Sequence, residues 1–142
     1  MSDTLARDVA EKLMAREGTA PAWGLELEQV GEGHARVRMT VRDDMLNGHD
    51  SVHGGMIFAL ADTAFAYACN SRDVATVAQS ATIAFLAPAA LGDVLVAEAR
   101  ELMLANRSGT YQVEVRTADG RAIASFHGLS RAVGGSILDR KE

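Results

Sequence analysis

Residues 47–68, NGHDSVHGGMIFALADTAFAYA, contain the side chains of this chain with the clearest chemical potential. From Gly54 to about Ser71 the residues are alanine-rich and apolar on every side, which predicts a helix that other elements cover on nearly all sides. One carboxylate, Asp62, interrupts this run. Because a buried carboxylate without a partner costs several kcal/mol, Asp62 is a catalytic group, a structural acid satisfied by a hydrogen bond, or a residue that the fold leaves exposed.

The start of the predicted helix offers a second chemical group. The first turn of a helix has backbone N–H groups without partners inside the helix, and the helix dipole places partial positive charge there. Gly54 and Gly55 have no side chains, so a carbonyl oxygen can approach their N–H groups closely. Glycines that permit tight packing are the alternative. The neighbouring Asn47, His49 and His53 favour an oxyanion hole that polarises a carbonyl.

The spacing between these two groups restricts how they can cooperate. Gly54 and Asp62 are eight residues apart, which is about 12 Å along a helix axis. A carbonyl held at Gly54 would therefore lie far from Asp62 of the same chain. If both residues serve one site, a second copy of the helix, antiparallel to the first, has to supply the carboxylate. The spacing thus predicts a dimer with two composite sites.

The length, charge and cysteine content of the chain limit the number of domains, the kinds of partner and the compartment. The 142 residues are the usual size of one domain, and the net charge of −5 gives no indication of nucleic acid or of an anionic membrane surface as partner. The single cysteine, Cys69, excludes an internal disulfide and is typical of a reducing cytoplasm. The longest apolar run, residues 56–69, is too short to span a membrane.

Apolar periodicity predicts the elements that position the site. The chain begins with an amphipathic helix over residues 4–17, and Pro21 and Gly24 indicate a loop. The predicted strands are 25–30, 34–42, 80–87, 94–105, 111–116 and 121–133. The first two form a hairpin, the last four form a meander, and the tail from residue 134 is frayed. We expect an α+β fold in which an antiparallel sheet curls around the long helix.

The motifs of this chain resemble those of a known family. The run MLNGHDSVHGGMIFALADTAFAYACNS, residues 45–71, resembles the PaaI-type acyl-CoA thioesterases of phenylacetate catabolism, which have the hotdog fold. The strand ATIAFLAP, the GD pair at 92–93 and the glycines 134–135 extend the resemblance over nearly the whole chain. The resemblance implies one hotdog thioesterase domain over 1–142. It also implies a dimer with a continuous sheet and a shared site, and a tetramer formed by two dimers.

The resemblance also implies catalytic roles. Asp62 matches the essential carboxylate, which acts as general base on water or as nucleophile. Gly54 matches the residue whose N–H holds the thioester oxygen, and Asn47 and His53 match polar residues that line and orient the site. Ser80 matches a position that helps to place the attacking water.

Further positions are interpreted as substrate-binding. Gly55 adds a backbone N–H at the helix start, Thr63 lies inside the motif, and Phe65 either shapes the acyl pocket or is a core residue. Ala87 stands where a basic residue is frequent in the family, as FLRP instead of FLAP. Other cations therefore have to hold the phosphates of coenzyme A, and Arg107 is the first candidate. The other candidates are Arg72 and Arg131.

The predicted function is hydrolysis of phenylacetyl-CoA, or of its ring-hydroxylated forms, in the cytoplasm. The enzyme needs no cofactor or metal, because coenzyme A is part of the substrate and the pair His49 and His53 lies in a loop without a third ligand. A non-catalytic acyl-CoA-binding protein is the alternative, although such a protein has little use for Asp62. A hotdog hydratase would require an acid and base pair on the acyl chain, and the sequence offers no convincing one.

Overall fold

The fold consists of one antiparallel sheet with a central helix lying against it. The computed structural model describes residues 2–141. In chain order, the elements are α1 (Ser2–Arg16), α2 (Thr19–Trp23), β1 (Glu26–Gly31), β2 (His34–Thr40), α3 (Gly54–Cys69), β3 (Thr76–Phe85), β4 (Val94–Ala105), β5 (Ser108–Thr117) and β6 (Ala122–Ala132). The expected α+β architecture, a sheet wrapped around a central helix, is confirmed.

The order of the strands differs from the predicted meander. The six strands lie in the order β1-β2-β4-β5-β6-β3, and every pair is antiparallel. Only β4, β5 and β6 form a meander, because β4 pairs with β2 and β3 pairs with β6 at the far edge. The strand β3 also begins at Thr76, four residues before the predicted start at Ser80. Since α3 connects β2 to β3 across the sheet, β3 lies at the opposite edge from β1.

The core forms where the sheet faces α3. Alternate residues of the three central strands are buried, which is the period-two pattern of a half-covered sheet. They are Val37, Met39, Leu95, Ala97, Ala99, Tyr111, Val113 and Val115. The ring of Phe65 packs against Tyr111 and Phe126, with ring centroids 5.3 and 5.7 Å apart. A Cβ atom at Gly128 would lie 2.7 Å from the Phe65 ring, so glycine is needed there for close packing.

One side of α3 is left partly open within the chain. The open stripe follows the helical repeat and consists of residues that are exposed or only partly buried: Gly55, Phe58, Ala59, Asp62 and Ala66. The prediction that the helix is covered on nearly all sides therefore does not hold for one chain by itself. Phe58 packs edge-to-face on Phe126 of β6, so the stripe borders the β6–β3 side of the sheet.

The strand β3 forms an open edge beside this stripe. It pairs with β6 on one side only, and nearly all of its ten residues are exposed. Val77 and Phe85 have 51% and 54% of their surface exposed. A long exposed edge strand with apolar side chains is a surface that pairs readily with another strand.

Two predicted irregular segments are ordered. Pro21 lies in the short helix α2, which ends at Gly24 in the left-handed conformation with φ +66°. The tail is not frayed over residues 136–140. The carboxylate of Asp73 accepts hydrogen bonds from the Ile137 and Leu138 N–H groups at 2.8 and 3.0 Å, and Ile137 is 1% exposed. The periodicity of the tail contained no signal for this contact, because the partner lies more than 60 residues away.

We predict that Asp73→Asn lowers the free energy of unfolding by about 1–2 kcal/mol at neutral pH, because hydrogen bonds to a charged acceptor are lost. Partial burial opposes ionisation, but hydrogen bonds from Ser136, Leu138 and Ile137 outweigh it and lower the pKa of Asp73. The stabilisation is therefore present at neutral pH and fades as the pH falls through this lowered pKa. Denaturant unfolding at several pH values measures it, with the exposed Asp139→Asn as control. Equal stability of both variants at neutral pH would contradict the assignment.

Candidate active site

The loop before α3 is organised around one side chain. The Oδ1 atom of Asn47 accepts hydrogen bonds from the backbone N–H groups of His49, at 2.8 Å, and Ser51, at 3.2 Å. The Asn47 N–H donates in turn to the Ser51 carbonyl at 2.7 Å. Leu46 and Val52 form an antiparallel bridge that closes the loop. Asn47 therefore fixes the chain path into the helix, and His49 takes part through its backbone.

His53 caps the helix start. Its Nδ1 atom accepts the N–H of Gly55 at 2.9 Å, and its backbone lies in the extended region expected at an N-cap. The N–H of Gly55 is thus already used. Within residues 2–141, no group accepts a hydrogen bond from the N–H of Gly54. Of the two glycines, Gly54 is therefore the one whose N–H is free to hold a ligand oxygen.

A cleft of about 370 Å³ opens beside Gly54. The end of β3 and the residues after it form its far wall, where Phe85 and Ala87 face Asn47 and Gly54. A Cβ atom at Gly54 would lie 3.0 Å from Cζ of Phe85, so glycine lets the ring lie directly over the helix start. Sequence reasoning did not identify Phe85, because nothing in the pattern of β3 indicates that its end reaches the start of α3. The structure places Ala87, where the family often has a basic residue, inside this cleft.

Asp62 lies on the open stripe of α3, where its side chain is only partly buried. Within the described part of the chain, no donor forms a hydrogen bond or an ion pair with its carboxylate. Burial raises the pKa of Asp62 above its ordinary value. Neither oxygen of this carboxylate is fully buried in the single chain, so the group is accessible to water and to a substrate, as a reacting carboxylate has to be.

Thr63, Phe65 and Ser80 lie in three different environments. Thr63 is buried and its hydroxyl donates to the Ala59 carbonyl at 2.7 Å. Phe65 lies in the core at 1% exposure. Ser80 is exposed on β3, directly after a β-bulge. Within one chain, the structure brings Asn47, His53 and Gly54 together and leaves these three positions apart from them.

The basic candidates lie at the other end of α3. Arg107 and Arg131 are exposed neighbours, because Ser108 pairs with Arg131 across β5 and β6. The guanidinium of Arg72 is already held, by Glu101 at 2.7 Å and by Glu32 at 3.5 Å. Arg107 lines a cavity together with Cys69, the last residue of α3. About 22 Å of helix separates this end from Gly54.

Cys69 fits a packing role. It is buried, and this burial, together with the nearby charge of Asp62, raises the pKa of its thiol to about 12. The thiol therefore stays protonated and is a poor nucleophile.

Among residues 2–141, no three His, Cys, Asp or Glu side chains come together as metal ligands would. No helix in this part of the chain is long and apolar enough to cross a membrane.

Comparison with known proteins identifies the class to which this fold and site belong. The family model of the thioesterase superfamily matches residues 49–124, more than half of the chain. The match contains the helix start, Asp62 and the strands β3 to β5. The chain belongs to the thioesterase superfamily, and its fold is the hotdog fold.

Within this superfamily, the chain is similar to PaaI proteins. The acyl-coenzyme A thioesterase PaaI of Escherichia coli is 44% identical over 128 residues, covering 90% of this chain and 91% of the relative. The structure of the E. coli PaaI protein from the phenylacetic acid degradation operon superposes with a TM-score of 0.94 at 41% identity, covering 96% and 99% of the two chains. A mutant of the phenylacetic acid degradation protein PaaI from Thermus thermophilus gives a TM-score of 0.79 at 37% identity, covering 82% and 100%.

The raised pKa predicts that Asp62 destabilises its own fold. A carboxyl whose pKa is higher in the folded state opposes folding above its ordinary pKa, and this effect is absent when both states are protonated. We expect Asp62→Asn to raise the free energy of unfolding at neutral pH and to leave it nearly unchanged below pH of about 3. Chemical denaturation at both pH values measures the difference. Lower stability of the variant at neutral pH would indicate a structural acid instead.

Proposed function

We propose that this protein is an acyl-CoA thioesterase that hydrolyses phenylacetyl-CoA, or its ring-hydroxylated forms, to the free acid and coenzyme A. The observation that carries the proposal is Asp62, an unpaired carboxylate with a raised pKa on the open stripe of the central helix. Membership of the thioesterase superfamily supports the reaction type. The similarity to a PaaI acyl-coenzyme A thioesterase, and to a protein from a phenylacetic acid degradation operon, supports the substrate class.

The site is proposed to form between two copies of the chain. The open edge of β3 and the open stripe of α3 lie on the same side of the molecule, and both leave surface that a second copy could cover. If the edges pair antiparallel about a twofold axis, the two α3 helices run antiparallel as well. Asp62 of the partner subunit then faces Gly54, which removes the separation of about 12 Å within one chain. A tetramer built from two such dimers is the proposed assembly.

The chemistry follows from these two groups. The thioester oxygen accepts the free N–H of Gly54, where the helix dipole stabilises the negative charge that develops on attack. The carboxylate of Asp62 of the partner subunit removes a proton from water as the water oxygen adds to the carbonyl carbon. A raised pKa makes this carboxylate a stronger base. The C–S bond then breaks, and the departing thiolate takes up the proton, so water is the only co-reactant and no cofactor is needed.

The remaining residues have supporting roles in this proposal. Asn47 and His53 hold the loop and the helix start, so they position Gly54. Ser80, exposed on the edge strand, helps to place the water from the partner side. Thr63 and Phe65 keep the helix face that carries Asp62 in place. Gly55 contributes by donating its N–H to Nδ1 of His53, the residue that caps the helix start.

The phosphates of coenzyme A are assigned to arginine side chains that no carboxylate holds within residues 2–141. Arg107 makes no side-chain hydrogen bond within residues 2–141, whereas Arg72 is held by Glu101 and Glu32. In the antiparallel dimer, the C-terminal end of α3 approaches the partner's helix start, and Arg107 lies beside that end, in the turn between β4 and β5. With Arg131 beside it, Arg107 offers the charge that Ala87 does not supply in the cleft.

The cytoplasm is the proposed location, since the chain has one cysteine and no possible internal disulfide.

Steady-state hydrolysis tests the proposal. We expect wild-type protein to hydrolyse phenylacetyl-CoA and hydroxyphenylacetyl-CoA, detected by capture of the released thiol. Asp62→Asn should lower kcat by about 10²–10⁴, because general base catalysis is lost. Asp50→Asn, the same change at an exposed loop position, should stay within about twofold of wild type. No turnover of any thioester, with tight binding of acyl-CoA retained, would indicate a non-catalytic acyl-CoA-binding protein.

A further inference from the structure

The side chain of Asn70 joins the end of α3 to the start of β3. Its Nδ2 atom donates to the Ala66 carbonyl at 2.9 Å, in the last turn of the helix. The same amide pairs with Thr76, the first residue of β3. Its Oδ1 atom accepts the Thr76 N–H at 2.9 Å, and Nδ2 donates to the Thr76 carbonyl at 3.0 Å. Because Asn70 is only 6% exposed, a buried amide fixes the helix to the edge strand.

The bonds to Thr76 lie on the open edge of β3. The preceding residue, Ala75, bonds on the other side, where its N–H donates to the Gly135 carbonyl at 2.8 Å and its carbonyl accepts the Val133 N–H at 2.8 Å. Successive residues of an antiparallel strand turn their backbone groups to opposite sides. The Asn70 amide thus occupies the first place at which a strand of a second copy would bond to this edge.

Little else on β3 selects a register for pairing. Register is fixed where one face of a strand is buried in the core, and it slips easily where that pattern is missing. Nearly all residues of β3 are exposed. The position at which the open edge begins therefore decides the alignment of a second strand, and Asn70 sets that position.

With its start closed by Asn70, the free part of β3 runs from Val77 to Phe85, and its middle residue is Ala81. A twofold axis places the residue at its centre opposite the same residue of the other copy. Pairing along the whole free edge therefore puts Ala81 at the axis. A slip of two residues would move the partner by about 7 Å along the strand, far more than a catalytic site tolerates.

The shared site requires nearly the same axis. If Asp62 is to face the partner subunit's Gly54, the residue midway between these two positions, Phe58, has to lie level with the axis. Phe58 packs on Phe126 with ring centroids 5.4 Å apart, and Phe126 pairs with Ile83 of β3. The level that the site requires therefore lies within two residues of the centre of the free edge.

We propose that Asn70 is a positioning residue, which sets the register of the two β3 strands and thereby aligns Asp62 with the partner subunit's Gly54. The inference rests on the proposed function, in which two copies share each site. Asn70 takes no part in the reaction itself, so its removal changes the alignment of the reacting groups and not their chemistry.

The kinetics of two neighbouring variants test this role. Asn70→Ala removes the bonds to Thr76. Ser71→Ala is the matched control, because Ser71 is also buried and accepts the Gly33 N–H at 2.8 Å, in the turn between β1 and β2. Both variants should lower the thermal unfolding midpoint. We expect kcat for phenylacetyl-CoA, measured where size-exclusion chromatography finds the assembly intact, to fall about 10–10²-fold in Asn70→Ala and to stay within about twofold in Ser71→Ala.

Cross-linking measures the register without any reaction. Single cysteines are placed at Gln79, Ala81 and Ile83, and disulfides between copies are quantified after oxidation. The native Cys69 is buried. A disulfide needs Cα atoms closer than about 7 Å, so only the residue at the axis should cross-link well. We expect Ala81 to cross-link best in the wild-type background, and Asn70→Ala to lower this yield at least about threefold in favour of the other two positions.

Asn70→Ser, whose side chain is too short to bond both groups of Thr76, replaces Asn70→Ala if that variant does not fold. Three results would overturn the positioning role: one cross-linking profile in wild type and variant, a changed profile without loss of kcat, or an equal loss of kcat in Ser71→Ala. Cross-links at none of the three positions would also overturn it, because the β3 edges would then not pair. A register that depends on Asn70, in a protein that hydrolyses no thioester, would keep the inference and overturn the proposed function.

Discussion

The rise of an α-helix, about 1.5 Å per residue, is the constraint on which the rest of this structure depends. It separates the free N–H of Gly54 from the carboxylate of Asp62 by about 12 Å, and no change of rotamer closes that distance. Both groups lie on one rigid element that the sheet holds along most of its length. A reaction that needs both at one carbonyl therefore needs two helices. The proposed function meets this requirement with a second copy of the chain. The open edge of β3 and the open stripe of α3 leave the surface that this copy would cover.

The fold serves this arrangement by leaving specific surfaces uncovered. The central strands β2, β4 and β5 bury one side of α3 completely, whereas the side that carries Asp62 stays partly open. The strand β3 lies at the edge of the sheet next to that side. The helix start is fixed from within the chain, since Asn47 organises the loop and His53 occupies the N–H of Gly55. One N–H remains free, which makes the position of a bound oxygen specific.

Much of this could be predicted from the sequence, and the failures have physical causes. The start of α3 at Gly54 and the full extent of β4, from Val94 to Ala105, follow from local sequence patterns, whereas the predicted helix end at about Ser71 lies beyond the observed end at Cys69. The place of β3 does not, because the alternation of apolar residues within a strand carries no information about its neighbour. The order of the tail depends on Asp73, whose contact with Ile137 is long-range.

For the candidate site, too, the residues could be predicted from the sequence but their contacts could not. The residue types and the spacing of Gly54 and Asp62 are read directly from the chain. Two features become visible only in the three-dimensional packing: the N–H of Gly55 is already bonded, and Phe85 covers the helix start. The choice between the cations also needed the structure, because only packing reveals that Arg72 is held by two carboxylates while Arg107 is free within residues 2–141.

The most direct test of the shared site is the activity of mixed dimers. Asp62→Asn and Gly54→Ala chains, carrying different tags, are co-expressed, and the mixed dimers are isolated and assayed with phenylacetyl-CoA. If each site takes Asp62 from one copy and Gly54 from the other, one site of every mixed dimer is intact. The mixed dimer should then recover about half of the wild-type activity, although each variant alone is nearly inactive. Mixed dimers as inactive as the two parents would contradict the account, because a site formed within one chain would be defective in both halves.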